Sequence, residues 1–134
     1  MKTTKLILIG LLTLDGLSIN AQVMVKDINP GTNASSPFGL TNGIGALYFN
    51  ADDGTNGKEL WKSDGTAAGT MMLKDINPGA NGSGPSVFLE INGTLFFYAN
   101  DGSNGRELWK SNGTAAGTVM VKDIFPGTSG SNSD

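Results

Sequence analysis

A 48-residue period runs through the chain. Lys26-Asp27-Ile28 returns as Lys74-Asp75-Ile76 and again as Lys122-Asp123-Ile124. Glu59-Leu60-Trp61-Lys62-Ser63 returns as Glu107-Leu108-Trp109-Lys110-Ser111. Residues 26–73 match residues 74–121 without a gap at 29 of 48 positions, which makes the two stretches copies of one unit. A fixed period of this length marks an array of like supersecondary units rather than a single irregular core. It also sets how candidate sites are read. A residue present in every unit serves the unit first, and one-off chemistry belongs where the units differ.

The first 21 residues stand outside the array. Lys2 and Lys5 make a positive start, Leu6 to Leu14 is an apolar run, and Ser18-Ile19-Asn20-Ala21 precedes Gln22. This is the anatomy of a secretory signal peptide, with cleavage expected after Ala21. The run is too short to span roughly 30 Å of hydrocarbon. The chain has no Cys, so the lipid-modified type of leader, disulfides and thiolate metal sites are all excluded. From Gln22 onward, seven Lys and Arg face eleven Asp and Glu, a net −4 spread along the repeats. That balance, without a basic patch, argues against nucleic acid as a partner.

Each unit reads as four short strands. Residues 23–28, 71–76 and 119–124 form one set, closed by Asn-Pro-Gly or Phe-Pro-Gly turns. Ser86–Ile91 is a strand ended by the type I′ signal Asn92-Gly93. Residues 46–51 and 94–99 alternate Leu, Phe and Ala on one face (Leu47, Phe49, Ala51; Leu95, Phe97, Ala99), the period of a strand lying on a core. Lys58–Ser63 and Arg106–Ser111 carry Trp61 and Trp109. Residues 64–70 and 112–118 complete wide turns. Four antiparallel strands per period predict an all-β fold of propeller-like blades, with a short open β-solenoid or a sandwich as the alternative.

The blocks ELWKSDGTAAGT (59–70) and ELWKSNGTAAGT (107–118), each followed by a KDI strand, resemble the ELWxxDGT repeat family. The resemblance covers residues 23 to 127 and departs from the motif at Asn112, where Asp is usual. It implies a secreted bacterial protein with tandem repeats in propeller-like arrays. It implies no reaction.

With neither His nor Cys, Ser-His-Asp and Cys-His nucleophilic sites and His-based zinc sites are excluded. Paired carboxylates remain, with Asp53/Asp101 and Glu59/Glu107 as the candidates. All four recur at the repeat period, which favours a structural role, and Glu59 and Glu107 are expected to pair with Lys on neighbouring strands. Asp27, Asp75 and Asp123 are expected to accept hydrogen bonds at strand ends. The turns at Asp53 and Asp101 are rich in hard oxygen ligands and are the candidate calcium positions. Trp61 and Trp109 are the candidate binding residues, as stacking platforms for sugars, against the expectation that they are buried between sheets.

The chain is therefore read as a signal peptide (1–21) followed by a β-repeat domain (22–134), with units 26–73 and 74–121 and a partial third unit 122–134. No catalytic residue and no cofactor is assigned. The expected function is a secreted, extracellular or cell-surface scaffold, adhesion or binding module whose partner is a protein or a glycan. The alternatives are a carbohydrate- or calcium-binding module and a fragment of a larger secreted enzyme or adhesin. About two blades cannot close a propeller, which needs at least four. Self-association is expected through the strand edge at 119–124.

Overall fold

The computed structural model describes residues 22–131, so the leader expected at 1–21 lies outside the described residues. Eight strands follow in order: β1 (Phe38–Gly43), β2 (Ala46–Asp52), β3 (Lys58–Ser63), β4 (Met71–Lys74), β5 (Ser86–Ile91), β6 (Thr94–Asn100), β7 (Arg106–Ser111) and β8 (Val119–Lys122). They form two four-stranded antiparallel meanders, β1-β2-β3-β4 and β5-β6-β7-β8. No helix occurs among the described residues. The all-β reading with tandem four-stranded units is what the chain adopts.

The two sheets share their irregularities as well as their strands. The register slips between Phe38 and Thr41 in one sheet and between Ser86 and Leu89 in the other. It slips again between Leu60 and Trp61, and between Leu108 and Trp109. Bulges at matching positions bend both sheets alike. The bulge before β6 puts Val87 at φ +55°, where its counterpart in the first sheet is Gly39 at φ +71°. Positive φ suits glycine and strains a β-branched residue. The hairpin turns show the same contrast. Asn92 and Gly93 both take positive φ, as the type I′ turn requires, and Ile44-Gly45 does so in the first sheet. Ile44 is a poor turn former, but its side chain packs on the core between the sheets.

The sheets are out of phase with the units 26–73 and 74–121. Residues 71–74 and 119–122 close their sheets as fourth strands, pairing with β3 and β7, and do not open new ones. Residues 23–28, expected as a strand, form none. A strand needs a neighbour for its backbone amides, and none is present beside them among the described residues. Residues 122–131 add no strand beyond β8.

Packing follows from alternation. On β6, Leu95, Phe97 and Ala99 are buried and the residues between them are half-buried, so one face of the second sheet is covered. On β2, Tyr48, Phe49, Asn50 and Ala51 are all buried, so the first sheet is covered on both faces. One cover is the second sheet. Tyr48, Leu60 and Leu73 from the first sheet meet Leu95, Phe97, Ala99 and Trp109 from the second in a single cluster with Ile76. Each fully buried large apolar side chain here stabilises by about 1.5–3 kcal/mol. The other cover is the segment before β1. There Phe49, Ala51 and Trp61 pack with Leu47, Met72 and Ile28. The linker between the sheets also passes close to the first sheet's turn. At Gly57 (φ +65°) a Cβ would fall 2.6 Å from the Ala80 carbonyl oxygen, so glycine is required there.

Candidate functional site

The Asp53 turn is built by its own carboxylate. Asp53 Oδ1 accepts from Thr55 N–H at 2.9 Å and Asn56 N–H at 2.8 Å, and Oδ2 accepts from Asn56 Nδ2 at 2.8 Å. Asp101 repeats the arrangement with Ser103 and Asn104 at 2.9, 2.8 and 2.8 Å. Asp52 Oδ1 accepts from Gly54 N–H, and Asn100 Oδ1 from Gly102 N–H, both at 2.7 Å. Burial pushes the Asp53 and Asp101 carboxyls up, but the donors of Asn56 and Thr55, and of Asn104 and Ser103, outweigh it and hold both below the usual carboxylate range. The oxygens a calcium ion would need are already turned onto local N–H groups. Among the described residues no three acidic side chains converge on one point.

Glu59 and Glu107 do not pair with Lys as expected. Glu59 is fully buried, and its carboxylate takes four donors from the linker between the sheets. Oε1 accepts from Asn77 N–H at 3.1 Å and Ser83 N–H at 2.8 Å. Oε2 accepts from Ile76 N–H at 3.0 Å and Ser83 Oγ–H at 2.5 Å. Burial raises its pKa, and the Ser83 hydroxyl with the Ile76, Asn77 and Ser83 amides draws it part of the way back. Glu107 faces the segment after β8 in the same way. Burial pushes its carboxyl up, but donors of Ser131, Ile124 and Phe125 hold it below the usual range. Only the Ile124 N–H comes within hydrogen-bond distance, at 3.3 Å, and the Glu107 Oε1 has no partner that close. The strand-end aspartates also differ from expectation, since Asp75 Oδ1 and Asp123 Oδ1 are buried without a partner.

Both tryptophans are buried, and only one lies between the sheets. Trp109 sits in the shared core, with Lys74 Nζ 5.9 Å from its ring centroid, within cation–π range. Trp61 lies on the far face of the first sheet, under Ile28. Neither indole Nε1–H has a partner. With their rings covered, neither presents a face on which a sugar ring would stack.

Three ties between the sheets were not read from the sequence. Lys74 Nζ donates to the Thr118 carbonyl at 2.7 Å, Lys62 Nζ to the Gly113 carbonyl at 3.0 Å, and Asn50 Nδ2 to the Pro85 carbonyl at 2.7 Å. The signal for the first was the Lys of the KDI block, present in each copy. The Ser and Thr of the long block also bond one another, Ser63 with Thr70 at 2.7 Å and Ser111 with Thr118 at 2.8 Å. These pairs close the wide turns at 64–69 and 112–117.

Compared with protein-family models, curated proteins and solved structures, the chain gives no match. Its recurring polar groups join strands, turns and sheets to one another.

Proposed function

We propose that the protein is a secreted, non-catalytic repeat scaffold that acts outside the cell as an adhesion or binding module toward a protein or glycan surface. One observation carries the non-catalytic part. The side chains best suited to acid–base work, Glu59, Asp53 and Asp101, are engaged with backbone N–H groups of the repeat itself. A general acid or base must reach a proton on a substrate. The buried Glu59 carboxylate faces the linker between the sheets. The leader-like start and the resemblance to the ELWxxDGT repeats support the extracellular part.

The test has two arms. Mass spectrometry of exported protein should find a chain starting at Gln22, and an intact Met1 on the extracellular product would contradict secretion by this route. A panel of polysaccharide and ester substrates should show no turnover that depends on Asp53 or Glu107. Turnover abolished by either substitution would make the protein an enzyme. A calcium-induced rise in Tm, lost in Asp53→Ala, would favour a calcium-binding module instead.

A further inference from the structure

Val23-Met24-Val25-Lys26-Asp27-Ile28 and Val119-Met120-Val121-Lys122-Asp123-Ile124 are the same six residues in the same order, two periods apart. They are in different states. The second supplies β8, set beside β7 with Lys110 opposite Val119 and Trp109 opposite Met120. The first forms no strand, and Val23 and Met24 are 82% and 73% exposed. Its anchors are nonetheless those of a fourth strand. Lys26 Nζ donates to the Thr70 carbonyl at 2.7 Å, as Lys74 Nζ at the end of β4 does to Thr118. Ile28 packs on the Phe49 and Trp61 face as Ile76 packs on the Phe97 and Trp109 face. Val23–Ile28 therefore lies where the last strand of a preceding sheet would lie, with no third strand beside it among the described residues.

The second sheet has the complementary lack among the described residues. Tyr48 and Leu60 are 1% and 0% exposed because the second sheet covers them, while their counterparts one period on, Phe96 and Leu108, are only half-buried. Ile76 is 6% exposed and Ile124 59%. Lys62 reaches Gly113 across the internal junction, whereas its counterpart Lys110 is exposed. A Cβ on Gly113 would meet the Tyr48 hydroxyl, whereas the space around Gly65 is open. A groove of about 240 Å³, lined by Val25, Ile28, Pro37, Leu40 and Phe49, opens between the first sheet and the segment before β1 that partly covers it.

We propose that copies of this chain join head to tail by strand exchange, Val23–Ile28 of one copy replacing β8 beside β7 of another. The step repeats the one-period relation that already joins the two sheets within a chain. The incoming segment has the sequence of the one it displaces, so strand pairing is unchanged. The released Val119–Ile124 takes on the exposure that Val23–Ile28 had. The gain is the apolar face carrying Phe96 and Leu108, which packs into the groove of the next copy as Tyr48 and Leu60 pack on the second sheet. Such a contact is heterologous, so it yields a ring where the rotation closes and a filament where it does not. Nothing in the exchange depends on where the protein resides.

Light scattering on the purified protein across a concentration series tests this, with Met24→Pro as the disrupting variant. Residues 23–28 make no ladder bonds in the single copy, so M24P should keep the wild-type Tm. A proline there has no backbone N–H and disfavours pairing within a sheet. The expected result is an average mass that rises with concentration in the wild type and stays at one chain in M24P. A second measurement uses the absence of native cysteine. A mixture of V23C chains and K110C chains should form a mixed disulfide faster than either population forms its own. A wild type that is one chain at every concentration overturns the proposal. So does an M24P protein that still associates, or a mixture with no preference for the mixed disulfide.

Discussion

Glu59→Ala isolates what the buried carboxylate does. The substitution removes the acceptor of three backbone N–H groups, Ile76, Asn77 and Ser83, and of the Ser83 hydroxyl. The Ser83 hydroxyl can rotate, but the three amides are fixed by the path of the linker. A buried donor left without a partner costs about 1–3 kcal/mol. Some relaxation toward water places the total at about 3–6 kcal/mol, the lower half of the sum for three such groups. Glu107 provides an internal control at the equivalent position, since Ile124, Phe125 and Ser131 lie beside it but only the Ile124 N–H comes within hydrogen-bond distance, at the longer 3.3 Å. Urea unfolding of E59A and E107A reads both as shifts in the denaturation midpoint at unchanged slope. E59A should be much the more destabilised of the two. Equal losses, or a loss under about 1 kcal/mol in E59A, would refute the view that donor count at this position sets its importance.

Trp109→Ala and Trp61→Ala should each cost about 3–5 kcal/mol by chemical denaturation, with no selective loss of glycan binding. Near-wild-type stability in either would return that residue to the surface. Val87→Asn should raise stability by about 0.5–1.5 kcal/mol in the same assay, because Val87 is 69% exposed at φ +55° and Asn tolerates that backbone. Asp53 and Asp101 sit below their ordinary value in the folded protein. Their stabilisation is complete above that value, about 3.9, and is lost as pH falls through the lower folded values. Glu59 has the opposite sign, its raised value giving stability that is present below its unfolded pKa and lost as pH rises through the folded one. The double variant Asp53→Ala, Asp101→Ala should therefore flatten the acid loss of stability below about pH 4, measured by melts across a pH series.

Much of the architecture was legible because each strand carries a local signal. The alternation of Leu47, Phe49 and Ala51, and the Asn92-Gly93 turn, fixed strand identity and boundaries closely. The Ile44-Gly45 turn was not legible, since Ile gives no turn signal and is kept at positive φ by packing on the core. The phase of the sheets was hidden for a different reason. A repeat has no intrinsic start, and only the pairing of β4 with β3 shows that the KDI segment ends a sheet. The burial of the tryptophans followed from their recurrence, but the separate surroundings of Trp61 did not, because they depend on Ile28, from the segment before β1, packing on the outer face of the first sheet. The partners of Glu59 are backbone amides, which leave no mark in the sequence.

Residue-resolved amide hydrogen exchange tests most directly whether the recurring polar groups build the junction between the sheets. Ile76, Asn77 and Ser83 lie outside every strand, so an unsupported linker would exchange quickly there. With the Glu59 carboxylate holding them, these three amides should be protected like those of β2 and β3, while the Ile124 amide exchanges faster. Exchange at Ile76, Asn77 and Ser83 as fast as at Ile124 would contradict the account.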